Sequence, residues 1–340
     1  MRINRHDLLQ SLESVQPGLT TRDVVEQSSC FVFKDGEVFT FNDEVACRKP
    51  CSLDIEAAVP ALPLLNMLRR LPEDELDIEL LDSEIIIEGK RRKSGIRIQL
   101  DIADHHNEKM EKGENWKKLH AEFSDAIYVA QQCVGKDESQ YTTTCVHIHP
   151  KWIESCDNTQ AIRYHLKTRV EEPILIRGSS IKHIVSLDMV EFAETETWIH
   201  FRNPSGLVLS CRRDVQDFGD NTDLFEMDGN PLTLPKGLGD AAAKAEVFSA
   251  ENADENEVTV DIRPGRIRVR SQGTSGWYSE SKKLASYKGD PLQFNVPPSL
   301  LIELVKKYND CEVSQDKLKV VVGNFTYVVA LGDADKNPEA

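Results

Sequence analysis

The sequence repeats one unit three times, and an internal repeat at a fixed period constrains the fold more than any single motif does. The clearest copy begins at Pro60 and reads PALPLLNMLRRLPEDELDIELLDSEIIIEGKRRKSGIRIQL. Its leucines at 64, 65, 68 and 71 have helical spacing and predict an amphipathic helix, with Arg69 and Arg70 outside the apolar face. Pro72 ends the helix. Three alternating apolar runs then predict an antiparallel meander: Leu76-Ile78-Leu80, Ile85-Ile86-Ile87 and Ile96-Ile98-Leu100.

The same order of helix and meander returns twice, near Ser179 and after Pro298. The helices there are SSIKHIVSLD and SLLIELVKKYND, and the strands are MVEFAE, TWIHF and GLVLSC, then CEVSQ, KLKVVV and FTYVVAL. A related half-unit precedes each copy. The first of these halves has a helix over Arg5–Val15 and strands in CFVFKDGEVFTF. The second has a helix over about Glu122–Val134 and the strands YTTTCVHIH, WIESCD and AIRYHLKTRV. The third has a helix in LPKGLGDAAAKAEVFSA and the strands EVTVDI, RIRVRS and WYSESKKL.

Six such halves predict an α+β protein of three tandem domains, each made of two helix-plus-meander halves. Polar stretches without periodicity at 104–115 and 216–231 are typical of linkers. We therefore expect domains over 1–110, 111–222 and 223–340, the last ending in a polar tail over 332–340.

Composition limits the kind of protein. The net charge of -16 argues against a surface that binds nucleic acid everywhere, but it allows a locally basic face. The first residues lack the apolar run of a signal peptide, and no stretch is apolar enough to span a membrane, so we expect a cytoplasmic protein without a membrane partner. The eight cysteines form no CxxC pair and are typical of reduced, buried thiols.

The architecture and three stretches resemble the bacterial sliding clamp, the beta subunit of DNA polymerase III. These stretches are LLNMLRRLPEDELDIELLDSEIIIEGKRRKSGIRI, QFNVPPSLLIELVKKYNDCEV and FTYVVAL, and the resemblance extends along the chain to Leu331. The family's TDGHRL corresponds here to Cys156-Asp157-Asn158-Thr159-Gln160-Ala161, in which only the aspartate is retained. A divergent, shortened clamp suggests a version encoded by a bacteriophage or mobile element.

The resemblance implies that this chain forms half of a six-domain ring, a homodimer closed head to tail around double-stranded DNA. The helices of such a ring line its hole and contact phosphates without reading sequence. Basic residues on or beside the predicted helices are the expected DNA contacts: Arg5, Arg69, Arg70, Lys117, Lys118, Lys182, Lys236, Lys244, Lys306 and Lys307. Each of them separately is also explained as a solvated helix residue or as a cation near a helix C-terminus.

The resemblance also implies a pocket that takes short peptide motifs from a DNA polymerase and from a clamp-loader ATPase. By position, its residues are Thr143, Cys156, Asp157, Asn158, Thr159, Gln160, Leu224, Phe225, Val328 and Ala330. The altered stretch 156–161 predicts altered peptide specificity, and the polar tail is a candidate cover for the groove. Alternatively, Val328 and Ala330 are ordinary strand residues and the pocket has lost its function.

Other chemistry has weak signals. His147 and His149 share one face of a predicted strand with Cys145 and Cys156 near in sequence, but no second close pair completes a zinc site. His105 and His106 fall in the linker and are expected to be solvated, and no GxxxxGK[ST] loop is present, so loading would need a separate ATPase. We expect no catalytic residue, cofactor or metal. Two rival functions remain: a clamp paralogue that binds clamp-interacting peptides without encircling DNA, and an enzyme that uses His147, His149 and Cys156.

Overall fold

The computed structural model describes residues 1–21, 25–102, 111–214, 216–251 and 256–334. In these ranges the α-helices are α1 Arg5–Ser14, α2 Ala61–Arg70, α3 Phe123–Ala130, α4 Gly178–Ile181, α5 Thr222–Phe225, α6 Leu238–Ser249 and α7 Pro298–Lys307. The strands are β1 Arg2–Asn4, β2 Cys30–Lys34, β3 Glu37–Phe41, β4 Val45–Pro50, β5 Ala57–Pro60, β6 Glu75–Leu80, β7 Glu84–Glu88, β8 Lys93–Arg97, β9 Lys117–Lys118, β10 Cys145–His149, β11 Trp152–Cys156, β12 Gln160–His165, β13 Ile174–Arg177, β14 Glu191–Glu194, β15 Trp198–Arg202, β16 Val208–Arg212, β17 Asn230–Thr233, β18 Val258–Arg263, β19 Gly265–Gln272, β20 Trp277–Leu284, β21 Leu292–Val296, β22 Asp310–Val313, β23 Lys317–Val322, β24 Phe325–Ala330 and β25 Gly332–Asp333.

The chain divides into two compact units. Unit 1 comprises 1–153 and 166–217, and unit 2 comprises 154–165 and 218–340. Every strand pairing that the structure describes in detail is antiparallel, in agreement with the predicted α+β class. The division into three domains, with boundaries near 110 and 222, stays a prediction from the repeat.

Unit 1 contains an eight-stranded sheet in the order β5-β2-β3-β4-β16-β15-β14-β9, and a four-stranded sheet in the order β1-β6-β7-β8. The larger sheet is continuous because β4 pairs with β16, from Val45 opposite Cys211 to Arg48 opposite Val208. That pairing joins segments that the sequence assigns to the first and second domains. Helix α1 packs on α2, and their apolar faces form a core.

Unit 2 contains strands in the order β12-β24-β23-β22-β17 and a second sheet in the order β20-β19-β18-β21-β25. Strand β12 pairs with β24, from Gln160 opposite Val329 to Tyr164 opposite Phe325. This pairing explains why residues 154–165 belong to unit 2, although the sequence assigns them to the second domain. Helices α6 and α7 pack on each other.

Local sequence signals account for most of these elements. Leu64, Leu65 and Leu68 are buried on one side of α2, and the helix ends at Arg70, before Pro72, as predicted. Asn4 begins α1 because its Oδ1 accepts hydrogen bonds from the His6 and Asp7 backbone N–H groups. The β2–β3 hairpin turns at Asp35 and Gly36, which both have positive φ, as a tight primed turn requires.

Several predicted elements were wrong in extent. Tyr141–Thr144 is a 3₁₀ turn before β10, not a strand. Strand β8 ends at Arg97, so Ile98 and Leu100 lie beyond it, and β12 ends at His165. The helix near Ser179 is one α-turn continued by a 3₁₀ segment, Lys182–Ser186. Lys236 precedes α6, and Lys117 and Lys118 lie on a short strand.

Part of the predicted organisation lies outside the described residues. This applies to most of the first linker, including His105 and His106, to position 215 and to the end of the polar tail from 335. Among the described residues, no helix is both long and apolar enough to cross a membrane. All eight cysteines carry free thiols.

Candidate functional site

A depression opens on unit 2 beside the β12–β24 pair. One side is polar and consists of the turn that leads into β12, Asp157 to Gln160. The other side is apolar, and Lys317 adds a cation at the start of β23. The apolar side consists of Ala161, Leu224, Val328 and Ala330. We call these nine residues the pocket.

The turn on the polar side is held by its aspartate. The Asp157 Oδ1 accepts hydrogen bonds from the backbone N–H groups of Thr159 and Gln160, at 2.7 and 2.9 Å, and from the Thr159 hydroxyl. The Tyr327 hydroxyl donates to Gln160 Oε1 at 2.7 Å, which ties the turn to β24. The polar side is therefore formed in advance of any ligand, because the hydrogen bonds of an Asx turn fix its backbone.

The apolar side depends on a buried ion pair. Arg163 Nε donates to Glu154 Oε2 at 2.7 Å, and both side chains are almost fully buried. The same guanidinium donates to the Thr222 hydroxyl at 3.3 Å and lies 4.6 Å from the centre of the Phe225 ring. These contacts hold the short helix α5, which presents Leu224 to the pocket.

Lys317 lies at the edge of the pocket because of its register on β23. It is the register partner of Ala330, and its Nζ donates to the Asp223 carbonyl at 3.1 Å, which links β23 to α5. The contact also leaves an ammonium group at an otherwise apolar edge of the pocket. A peptide that carries a carboxylate would find a complementary charge there.

The structure brings together seven of the ten residues predicted for the pocket: Asp157, Asn158, Thr159, Gln160, Leu224, Val328 and Ala330. Thr143, Cys156 and Phe225 do not line it. Thr143 accepts a backbone hydrogen bond from Gly135, and Phe225 packs against Arg163 instead. Sequence reasoning missed Ala161 and Lys317. The register of β23 against β24, which places Lys317 opposite Ala330, is the signal that identifies the lysine.

Some of the predicted DNA contacts are exposed cations without a described carboxylate partner. These are Arg70 at the end of α2, Lys118 on β9, Lys182 after α4 and Lys236 before α6. Lys306 is largely exposed on α7, and its Nζ lies 4.0 Å from Glu303. The first four side chains can reach a phosphate without first losing an ion pair, whereas Lys306 would exchange its exposed contact with Glu303.

The other predicted DNA contacts already have partners. Arg69 pairs with Glu13 at 2.8 Å, Lys244 with Glu280 at 3.1 Å and Lys307 with Glu303 at 3.2 Å. Each of these pairs is solvent-exposed and therefore weak enough to be exchanged for a phosphate.

Lys117 and Arg5 are held more firmly. Lys117 pairs with Glu171 and Glu194, and the hydrogen bond to Glu171 is the main cause of its raised pKa. Arg5 is only 9% exposed, and its guanidinium donates to the Leu68 carbonyl in the last turn of α2 and to the Glu73 carbonyl beyond the helix. Arg5 thus satisfies one of the carbonyl groups that the helix end leaves unpaired.

The structure gives little support for metal binding or catalysis by His147, His149, Cys145 and Cys156. The His147 and His149 rings are 6.1 Å apart, and His149 stacks on Trp152. Burial raises the pKa of the Cys145 and Cys156 thiols to about 11, so neither is a thiolate near neutral pH. Among the described residues, no group of three or more His, Cys, Asp or Glu side chains is arranged to hold a metal ion.

No family model matches the sequence, and no curated protein matches it. Solved structures do match over nearly the whole chain. The DNA polymerase III subunit beta of Pseudomonas aeruginosa matches with a TM-score of 0.83 at 14% identity, over 97% of this chain and 99% of that one.

Two other solved structures match equally well. The beta chain of DNA polymerase III from Streptococcus pneumoniae TIGR4 gives a TM-score of 0.84 at 14% identity, and the beta subunit from Thermotoga maritima gives 0.82 at 12%. Each covers 98% of this chain and 99% of the other. The chain therefore has the fold of the bacterial sliding clamps, the beta subunits of DNA polymerase III, in a strongly divergent sequence.

Proposed function

We propose that this chain is a DNA sliding clamp, a non-enzymatic processivity factor that encircles double-stranded DNA and tethers a DNA polymerase. Two copies close head to tail into a homodimer, and three domains per chain, over 1–110, 111–222 and 223–340, give a ring of six. The ring works in the cytoplasm, where a separate clamp-loader ATPase opens it. Its divergence fits a phage-encoded clamp.

The unused strand edges are the observation that carries this proposal. Strand β4 ends the meander of one half-unit and pairs with β16, which ends the meander of another. Strand β12 pairs with β24 in the same manner. By the repeat, the strands equivalent to these are β20 and β8. Each lies at the edge of its sheet, β20 in unit 2 and β8 in unit 1.

Bare edges of this kind invite pairing with another chain. If β20 of one copy pairs with β8 of a second copy, the second copy offers its own β20 to the first, and the contacts close. The repeat thus supplies both halves of a head-to-tail interface, and a closed ring leaves neither the β8 edge nor the β20 edge unpaired.

The charges support the role of the ring. Arg70, Lys118, Lys182, Lys236 and Lys306 offer phosphate contacts that read no base. The acidic balance of the whole chain, -16, keeps DNA from other surfaces. The attraction is weak and falls with salt, as sliding requires.

The pocket supports the tethering role. The pocket suits a short peptide segment of a polymerase or loader, because it combines an apolar side, a preformed polar turn and one cation. Tethering then raises the effective concentration of the polymerase at the primer end without new contacts to the template.

The test of the ring uses the free edge of β8. The Ile98 N–H donates to the Ser83 carbonyl and the Gly89 N–H to the Arg92 carbonyl, so the antiparallel alternation points the Gly95 N–H away from β7. Gly95→Pro removes that outward donor and leaves the β7–β8 ladder intact. Gly95→Ala is the matched control, because its N–H remains and the atoms nearest to its Cβ belong to the side chains of Glu84 and Ile86, not to the backbone.

The protein is loaded on nicked circular duplex DNA, which is then linearised. We expect wild type and Gly95→Ala to stay on circles and to leave linear DNA, and Gly95→Pro to be a monomer that is never retained. Retention of wild type after linearisation contradicts encirclement. A wild type that is monomeric at every concentration and never retained on circles favours the non-encircling peptide-binding paralogue.

The test of the pocket uses griselimycin, because a sliding clamp of Pseudomonas aeruginosa has been crystallised with it. Leu224, which is 39% exposed, changes to serine in the test variant, and Leu81, which is 43% exposed, changes to serine in the control. We expect wild type and Leu81→Ser to bind griselimycin and Leu224→Ser to lose most of the affinity. Equal binding by both variants contradicts a ligand in this pocket.

A further inference from the structure

A cationic face lies on unit 2, away from the pocket. On one side of the β18–β21 strands the side chains alternate with the buried Val260, Ile262, Ile267 and Val269. We call this side the arginine face. Its members on β18, β19 and β20 are Thr259, Asp261, Arg263, Arg266, Arg268, Arg270, Gln272, Trp277, Ser279, Ser281 and Lys283.

Three of its cations stand directly beside one another. Arg263 is the register partner of Arg266, and Arg266 is the register partner of Lys283, so one cation from each of three neighbouring strands meets in a row. All three side chains are exposed, and no described carboxylate lies within ion-pair distance of them. Like charges directly opposite each other in a sheet are destabilising. Binding of an anionic partner to these three side chains would offset their mutual repulsion.

The next two arginines along β19, Arg268 and Arg270, differ because they have a carboxylate partner. Arg268 and Arg270 lie 3.1 and 3.4 Å from Asp261, a carboxylate that is almost fully buried beneath them. They continue the positive row along β19, where alternate residues are about 7 Å apart. These two arginines therefore share one carboxylate within the sheet, whereas the outer three cations have no described carboxylate partner and are available to a ligand.

An aromatic side chain lies at the other end of the row. Trp277 is the register partner of Gln272, on the same side as the arginines, and is 72% exposed, more than any other large apolar residue that the structure describes. The remaining described residues of this face on β18–β21 are polar or charged. A peptide thus finds no apolar pocket here, whereas an indole presents a flat surface on which a base can stack.

We propose that the arginine face binds single-stranded nucleic acid, with phosphates on Arg263, Arg266 and Lys283 and a base stacked on Trp277. A stacking platform joined to a cationic track is the arrangement that single strands require, and it is independent of sequence. Duplex DNA keeps its bases stacked inside and cannot use Trp277. The site goes beyond the proposed encirclement of duplex DNA. Trp277 and Lys283 lie on β20, whose backbone edge is proposed to join the ring, whereas Arg263 and Arg266 lie on β18 and β19.

The test measures fluorescence anisotropy of an oligothymidylate of about 20 nucleotides, long enough to exceed the site of one such module. The first variant is Arg263→Glu/Arg266→Glu/Lys283→Glu. Its matched control is Lys112→Glu/Lys151→Glu/Lys167→Glu, which makes the same charge change at exposed lysines of unit 1. The second variant is Trp277→Ala, and Arg268 and Arg270 stay unchanged because they neutralise Asp261.

We expect the face variant to lose more than tenfold in affinity and to lower the slope of log K against log salt by about 2, since each single-strand phosphate contact contributes about 0.7. Trp277→Ala should lose at least about fivefold with an unchanged slope, because stacking releases no counterions. The charge control should bind like wild type.

Several results overturn the proposal: no binding by wild type, an equal loss in the charge control, no effect of Trp277→Ala, or binding of polyglutamate in preference to the oligonucleotide. Retention on circular duplex DNA is measured in parallel. The variant used for this measurement is Arg263→Glu/Arg266→Glu, which leaves β20, Gly95 and the helix cations unchanged. It should be retained as wild type is, so failure of this inference is distinguishable from failure of encirclement.

Discussion

Replacing Arg163 by methionine tests how one buried ion pair supports both the fold of unit 2 and its pocket. The substitution keeps most of the volume and removes the charge, so the buried carboxylate of Glu154 loses its ion pair with Arg163. Breaking a buried pair in this way costs about 3–5 kcal/mol. Loss of the contacts with Thr222 and Phe225 adds about 1 kcal/mol.

Amide hydrogen exchange of β12 and β24 is the appropriate assay, because exchange reports the free energy of local opening. A loss of about 4 kcal/mol predicts a fall in protection of roughly a thousandfold for these strands. Strands β2 to β4 of unit 1 provide the internal reference and should keep their protection.

A double variant separates stability from pocket geometry. Arg163→Met/Glu154→Leu removes both charges, and an apolar pair of similar size is often as stable as the ion pair it replaces. Its protection should return to within about 1–2 kcal/mol of wild type, whereas its griselimycin affinity stays low because α5 has lost its two contacts with Arg163, through Thr222 and Phe225. A double variant as unstable as Arg163→Met, or one with full affinity, refutes this reasoning.

Three further outcomes follow from the geometry. Replacing Arg70, Lys182 and Lys306 by glutamine should lower the salt slope of duplex binding by up to about 3 without altering sizing behaviour, and an unchanged slope contradicts phosphate contact. Burial lowers the pKa of His200 from 6.5 to about 4. Between these pH values the unfolded chain binds a proton at His200 that the folded chain does not. The free energy of unfolding should therefore fall by about 3 kcal/mol as the pH drops from 6.5 to 4. His200→Gln should flatten that part of the pH profile measured by urea unfolding. Gly18→Ala should destabilise unit 1 by about 1–3 kcal/mol, since the new Cβ would lie 2.9 Å from the Thr40 carbonyl carbon, and an unchanged melting temperature argues against this clash.

The repeat made the element types predictable, because period and turn chemistry act locally. The buried stripe of α2 and the Asp35-Gly36 turn need no distant partner to be recognised. Tyr141–Thr144 was wrong because its residues favour strands, yet the Thr144 hydroxyl donates to the Tyr141 carbonyl and stabilises a 3₁₀ turn. A local hydrogen bond prevailed there over intrinsic preference.

Long-range pairing was not predictable from alternation. The chain leaves β7 after Arg97 because the Gln99 backbone exchanges two hydrogen bonds with Ala58, so the apolar pattern that continues to Leu100 does not continue the strand. Lys317 escaped notice for the same reason, since only its register against Ala330 places it in the pocket. The helix cations were identifiable as a class, but their existing ion pairs depend on neighbours distant in sequence.

The pocket turn corresponds to part of the family pattern TDGHRL, of which this chain retains only the aspartate, Asp157. Asp157 accepts three hydrogen bonds that fold the turn, so its loss would remove the backbone shape itself. Asn158, the residue after it, makes no such contact in the described structure and faces the ligand side. Asp157 thus holds the backbone of the turn, whereas Asn158 lines the pocket without such a contact. A pocket of this shape should keep an extended peptide ligand but prefer different side chains, with Lys317 favouring a carboxylate.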